Sequence, residues 1–321
     1  MEVTITAKAN ANGIQIEYDT FGERSSPPLL LIIGWATQMI GWDEQLCKEW
    51  ARKGFYVVRF DNRDIGLSTK MEEAGAPDLM AAIKAGRKGE KVDAPYTFDH
   101  MADDTVGLLD ALEIDKAHLC GFSMGGVIAQ TIAIRYPSRV RSMTLVSATT
   151  APTAIRALMM LEGEAWVKRE NPELPRMRPE IAAVSFAPPP EEREAYLDHA
   201  VKVYRAIAGP GFPFDEVWHR NMADHSYDRS FYPPGAIRQA VAHIAHGNQK
   251  PALASVTVPT LIIHGADDLM FPVECGKDIA QAIPGAKLMI IEGMGHDMPH
   301  GSAWPRIVEA VVAHARKADD L

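Results

Sequence analysis

Ser123 stands in the pentapeptide Gly121-Phe122-Ser123-Met124-Gly125, a serine bracketed by glycines. The pattern alone does not separate a nucleophile from a small residue in a tight turn; its neighbours along the chain do. A free hydroxyl is barely nucleophilic at neutral pH, so Ser123 needs a base to take its proton. The base needs a carboxylate to fix its tautomer and stabilise the imidazolium. Of the eleven histidines, His296 in "IEGMGHDMP" lies just past the last expected strand, in a glycine-rich loop. His264 ends "LIIHG", where a histidine satisfied by local hydrogen bonds is expected. His199, His219, His225, His243 and His246 fall in a helical stretch and read as surface or packing residues. "HGADDLMFP" offers Asp267 and Asp268, one expected to enter the site and the other to cap the turn or face solvent. Serine, acid and histidine follow one another in the order used for acyl transfer on parallel sheets.

These side chains need a scaffold. Asn12-Gly13 between two alternating runs predicts a β-hairpin. Short apolar runs at 28–34, 55–61, 116–122, 141–148, 259–265 and 286–293 read as strands, most of them covered on both faces. Helical stretches at 42–54, 98–114 and 123–137 alternate with the early ones, which implies right-handed βαβ units and a mainly parallel sheet. Ser123 falls at a strand-to-helix junction, where a sharp turn requires small flanking residues. Gly125, Ala129 and Ala133 then give a small-residue stripe that lets the helix lie close to the sheet. The alternation stops after Thr150 and resumes near Val256. Between them lie helical segments broken by "APPPEE", "GPGFPF" and "YPPG", and Tyr196, Ala200, Val203 and Ile207 recur at helical spacing. The expected organisation is a core of residues 1–150 and 251–321 carrying a helical cap of residues 151–250.

Composition sets limits on partners. The chain has 321 residues, 47% hydrophobic, enough for a sizeable core. A net charge of −9 argues against nucleic acid and anionic membrane surfaces, since phosphate binding needs basic patches. Cys47, Cys120 and Cys275 lie far apart without CxxC spacing and read as buried thiols of a reducing compartment. No secretory signal or apolar run of membrane-spanning length is visible, so a cytoplasmic protein with a small-molecule partner is expected.

The elbow "GFSMGG", the loop "RFDNRDIGLST", the acid motif "HGADDLMFP" and the terminal "GMGH" resemble the α/β-hydrolase superfamily over nearly the whole chain. "IIGWATQMIGWDEQL", "FDNRDIGLST" and "MADDTVGLLDALEI" are most similar to the esterase branch that includes aclacinomycin methylesterase. The resemblance implies a mainly parallel eight-stranded sheet flanked by helices, with a helical cap after the sixth core strand. It selects Asp268, four residues before Pro272, as the acid. It also implies an oxyanion hole from the backbone N–H groups of Met124 and Trp35. Ile33-Gly34-Trp35 departs from the His-Gly that many members carry there, but a backbone donor survives a side-chain change. The activity implied is carboxylic-ester hydrolysis on small or methyl and alkyl esters of neutral, moderately hydrophobic substrates, with no cofactor and no metal.

The same residues would also serve a lactonase, C–C bond hydrolase, perhydrolase or hydroxynitrile lyase; a non-catalytic receptor is the reading from another class. Substrate contacts are expected from Gly34, Trp35, Met159, Met160 and Trp218, with Phe186, Phe212 and Phe214 as further apolar candidates. Asp61, Arg63 and Asp64 are expected to tie their loop down by its own charge pairs.

Overall fold

The computed structural model describes residues 5–150 and 177–320. Strands β1 (Ile5–Ala11), β2 (Ile14–Phe21), β3 (Pro28–Ile32), β4 (Tyr56–Phe60), β5 (Ala117–Phe122), β6 (Val140–Val146), β7 (Thr260–Gly265) and β8 (Lys287–Ile291) form one sheet. Their order is β1-β2-β4-β3-β5-β6-β7-β8. Asn12 and Gly13, with φ of 49° and 80°, close the β1–β2 hairpin as their sequence predicts. β2 pairs antiparallel with β1 and β4, and every later pairing is parallel.

Successive side chains of a strand point to opposite faces, so an unbroken apolar run buries both. Leu30, Ile32, Val58 and Phe60 enter one core and Leu29, Leu31, Ile33 and Val57 the other. Helices α1 (Glu44–Arg52), α2 (Leu79–Lys88), α3 (Phe98–Ala111) and α4 (Met124–Arg135) precede β6. Between β6 and β7 lie α5 (Pro179–Ser185), α6 (Arg193–Ile207), α7 (Glu216–Ser230), α8 (Pro233–His246) and the short α9 (Lys250–Leu253). α10 (Val273–Ala282) and α11 (Trp304–Asp319) follow β7 and β8. α3, α4 and α10 cover the first core, and α1 and α11 the second.

Two sequence expectations need correction. α2 is absent from the helices expected above: among its described residues the buried hydrophobic ones are Ala82 and Ile83, packed against Ala240, Val241 and Ile244 of α8, too small a face for periodicity to show. The stretch expected as helix to residue 114 ends at Ala111, because Glu113 adopts φ 56°.

The polar loop after β4 is tied down by ions from outside itself. Arg63 makes two 2.6 Å bonds to Asp104 of α3. Asp64 receives Arg238 of α8 at 2.9 and 2.8 Å, and Asp61 receives Arg229 of α7 at 3.0 Å. All three carboxylates are buried, so removing either member of a pair leaves an uncompensated charge. Helices α7 and α8 are therefore locked to the sheet's own loop. The chain rejoins the core at Gln249, which accepts from Thr131 Oγ1 at 3.0 Å and donates to Val127 O at 3.2 Å.

Candidate active site

β5 ends at Phe122 and α4 begins at Met124, which leaves Ser123 alone to make the turn. It does so at φ 54°, ψ −119°, a conformation that costs a non-glycine residue about 1–3 kcal/mol and persists only where its surroundings enforce it. The Ser123 N–H donates to Val146 O at 2.9 Å, and Ser123 O accepts from Gly126 N–H at 2.9 Å. A Cβ on Gly121 would overlap the Gly125 carbonyl, and one on Gly125 would overlap Ile32 O. The glycines are there for backbone contact, and the turn thrusts the hydroxyl out over the C-terminal edge of the sheet.

His296 follows β8 and Asp268 follows β7, and the parallel register brings both to that edge. His296 Nε2 lies 3.0 Å from Ser123 Oγ, and its Nδ1 lies 2.8 Å from Asp268 Oδ2. A carboxylate only accepts, so Nδ1 carries the proton and Nε2 is left to accept from the serine. Asp268 Oδ1 is held by the N–H groups of Met270 and Phe271 at 2.9 and 2.7 Å. Asp267 turns away and accepts from Gly293 N–H at 2.9 Å. His264 Nε2 lies 2.7 Å from Phe271 O, a local partner as expected for a strand-end histidine.

One support was not read from the sequence. His296 N–H donates to Ile207 O at 2.8 Å, and Gly211 N–H to Gly293 O at 2.9 Å. Side chains on Gly209 or Gly295 would each overlap the opposing backbone. The end of α6 thus lies backbone to backbone on the loop that carries His296. The signal was present as two Gly-x-Gly triplets, Gly209–Gly211 and Gly293–Gly295, but nothing in sequence says that they meet.

The loop after β3 passes over the serine: a Cβ on Gly34 would lie 3.3 Å from Ser123 Cβ. Among the described residues, no hydrogen bond takes the Trp35 N–H, whereas that of Ala36 goes to Gln239 Oε1 at 3.0 Å. The Met124 N–H opens α4, where the first turn of a helix has no intrahelical acceptor. Two amides beside Ser123 are thus open to an oxygen bound there.

Ser123, His296 and both amide-bearing residues line a cavity of about 300 Å³ beneath α5–α8. Gly34, Trp35, Phe186 and Trp218 line it, together with Tyr196, Ala200, Val203 and Ile207 of α6. Trp35 Nε1 donates to Ala236 O at 2.8 Å; Trp218 Nε1 donates to Asp43 Oδ2 at 2.9 Å, and its ring stacks on His300. Phe212 and Phe214 are corrections. Phe212 packs into the core beneath α11, and Phe214 stacks on His219 with centroids 4.5 Å apart. Met159 and Met160 lie outside the described residues. His219 and His243 are buried, as packing residues would be, yet both also line the cavity. No Lys or Arg stands among the described lining residues. Among the described residues, no three His, Cys, Asp or Glu side chains gather as a metal site would require, and no helix is long and apolar enough to cross a membrane.

A family model described as the alpha/beta hydrolase fold matches residues 27–301. The chain belongs to this family. Its sheet order and its cavity over the strand C-termini are those of an alpha/beta hydrolase in which a serine occupies the strand-to-helix turn. Rhodomycin D methylesterase DnrP of Streptomyces peucetius is 28% identical over 301 residues, covering 92% of this chain and 93% of that one. The 2-hydroxymuconate semialdehyde hydrolase of Pseudomonas sp. (strain CF600) is 31% identical over 247 residues, covering 76% and 77%. Among solved structures, an esterase from Exiguobacterium antarcticum superposes with a TM-score of 0.71 at 22% identity, covering 97% and 100%. That last likeness speaks to fold alone.

Proposed function

We propose that this alpha/beta hydrolase is a carboxylic-ester hydrolase working through an acyl-enzyme, with Ser123 as nucleophile, His296 as base and Asp268 as its orienting acid. The carrying observation is the continuous chain Ser123 Oγ, His296, Asp268 at 3.0 and 2.8 Å under an apolar cavity. Ser123 Oγ attacks the ester carbonyl as His296 Nε2 takes its proton, and the carbonyl π pair moves onto oxygen. The Met124 and Trp35 N–H groups stabilise that oxyanion. Collapse expels the alcohol, which leaves with the proton held on Nε2. Water then attacks the acyl group, giving a proton to His296, and Ser123 recovers it as the acid departs. Helices α5–α8 act as a cap that shapes the acid-side pocket, and the relative named as a methylesterase supports methyl or small alkyl esters as substrates.

The second reading is hydrolysis of a 2-hydroxymuconate semialdehyde on the same residues, favoured by the relative at 31% identity. Such a substrate bears a carboxylate, and no described lining residue is a Lys or Arg that would receive it. Ester hydrolysis is the better fit. Ser123→Ala tests it: fluorophosphonate labelling should vanish and ester turnover fall by about 10⁴-fold or more. Turnover within about tenfold of the parent would end the assignment.

A further inference from the structure

Native proteins leave few buried polar atoms unpaired, and each exception asks for an explanation. Among the described residues, three such atoms belong to side chains that line the cavity over Ser123: Ser185 Oγ, His243 Nε2 and Asp297 Oδ1. The other unpaired atoms, Trp42 Nε1, Trp50 Nε1, Tyr96 Oη, Ser147 Oγ and His264 Nδ1, belong to buried side chains that do not line it. Several of the cavity's other polar groups are engaged within the protein. Asp43 is taken by Gln45 N–H and Trp218, Thr37 by the Trp35 carbonyl, and His219 by the Asp215 carbonyl. Three unclaimed groups in an otherwise apolar chamber point to partners supplied by its occupant.

The chemistry of each group says what the occupant brings. A carboxylate accepts and cannot donate when ionised, so Asp297 calls for an N–H or O–H. No described lining residue is a Lys or Arg that could satisfy it. Burial raises the Asp297 carboxyl to about 7, against the lowering pull of His296 and of hydrogen bonds from the Gly295 and Asp297 backbone, and Oδ1 is left without a partner. His243, 3% exposed on the α8 wall, is kept neutral by burial and so offers one donor and one acceptor. Asp297 lines the same cavity as Ser123 and His296, and its carboxyl feels the charges of His296 and Asp268, which sets it near the acyl centre.

We propose that the cavity selects esters whose body carries a hydrogen-bond donor, a hydroxyl or amine, which Asp297 accepts close to the scissile bond, with His243 as a second polar anchor. This rests on the ester-hydrolase reading above. Sites built to bond a substrate hydroxyl discriminate steeply against analogues that lack it, because the protein group is then left unpaired.

The test uses the full chain and a panel of methyl benzoates with a hydroxyl or amine at each ring position, against hydrogen- and methoxy-bearing counterparts. For the best-placed donor, kcat/KM should exceed that of its methoxy partner by about tenfold or more. In Asp297→Leu that ratio should collapse to within about twofold of one, and in Asp297→Asn, which keeps an acceptor, it should fall part-way. Fluorophosphonate labelling of Ser123 identifies variants whose site is folded; if Asp297→Leu fails that check, the ratio in Asp297→Asn decides. A parent enzyme without donor preference, or a ratio unchanged on substitution, overturns the proposal. Calorimetric binding of the same panel to Ser123→Ala separates the two levels. Discrimination in binding with no ester cleaved by the parent would sustain the donor site and sink the ester reading; cleavage without discrimination would do the reverse.

Discussion

Gln239 of α8 accepts the N–H of Ala36 at 3.0 Å, so a helix inserted between β6 and β7 holds the loop that presents the Trp35 amide. Ala36 adopts φ 55°, a strained conformation that its surroundings must maintain. Gln239 also donates to Arg63 O at 3.2 Å, which anchors the glutamine to the ion-paired loop after β4. Gln239→Leu should free the loop without touching Ser123. One oxyanion donor is worth about 10²–10³ in turnover. Displacing it should lower kcat roughly 10- to 100-fold with KM little changed, measured on p-nitrophenyl butyrate. A parental kcat would mean that the Trp35 amide takes no part.

The neighbouring carboxylates Asp267 and Asp268 have separate partners and should have separate phenotypes. Asp268→Asn places an amide against His296 Nδ1 and favours the wrong tautomer, with an expected loss near 10⁴ in kcat. Asp267→Ala removes the acceptor of Gly293 N–H, which should cost about 1–3 kcal/mol of stability and far less turnover. Paired kinetics and urea titrations of the two variants read both effects. A reversal of the two phenotypes would exchange their roles.

How far the sequence reached follows from the range of each interaction. Ser123 was readable because a strained turn needs glycines within two residues, and a local demand leaves a local trace. The strands were readable because both faces of the sheet are covered, so the apolar runs are unbroken. Asp268 could be told from Asp267 only by resemblance, since both fit a post-strand turn and the choice depends on a histidine 28 residues further on. Gln239, Arg229 and Arg238 were not legible at all. Their partners Ala36, Asp61 and Asp64 lie more than 160 residues away, and nothing in helical periodicity marks a polar residue as a docking group. Phe212 and Phe214 failed for the same reason: hydrophobicity says that a side chain is buried, not which cavity or core buries it.

His243 makes stability depend on pH in a direction that can be worked out. Burial lowers its folded value to about 3, against 6.5 for the unperturbed imidazole. Between those values the unfolded chain binds a proton that the folded one refuses. Its contribution is therefore fully present above pH 6.5 and is lost as pH falls toward 3. The slope is about 1.4 kcal/mol per pH unit for one such proton. Asp297, raised from 3.8 to about 7, works in the opposite sense with a slope of about the same size, so between about pH 4.5 and 6 the two contributions nearly cancel. His243→Leu should therefore shift the slope of the stability–pH line from urea unfolding at pH 4.5–6 by about one proton, toward stability that falls as pH rises. Parallel lines for the variant and parent would show that the imidazole is already protonated when folded.

The cavity's charge pattern predicts which esters fail. Its only described lining carboxylates are Asp43 and Asp297, and no Lys or Arg opposes them. The chain carries a net charge of −9, so the approach of an anion is opposed at long range as well. A substrate carboxylate entering this chamber would lose its hydration and gain no cation in return, a cost of several kcal/mol unless it arrives protonated. For matched neutral and carboxylate-bearing methyl esters of one acid skeleton, kcat/KM should favour the neutral member by at least about 100-fold. The long-range part of that gap is screened by salt, whereas the desolvation inside the cavity is not. Raising ionic strength from 0.02 to 0.5 M should therefore narrow the gap only a few-fold. A preference for the anionic ester that weakens with salt would reveal a cation in the pocket and would transfer the case to the muconate-type reading.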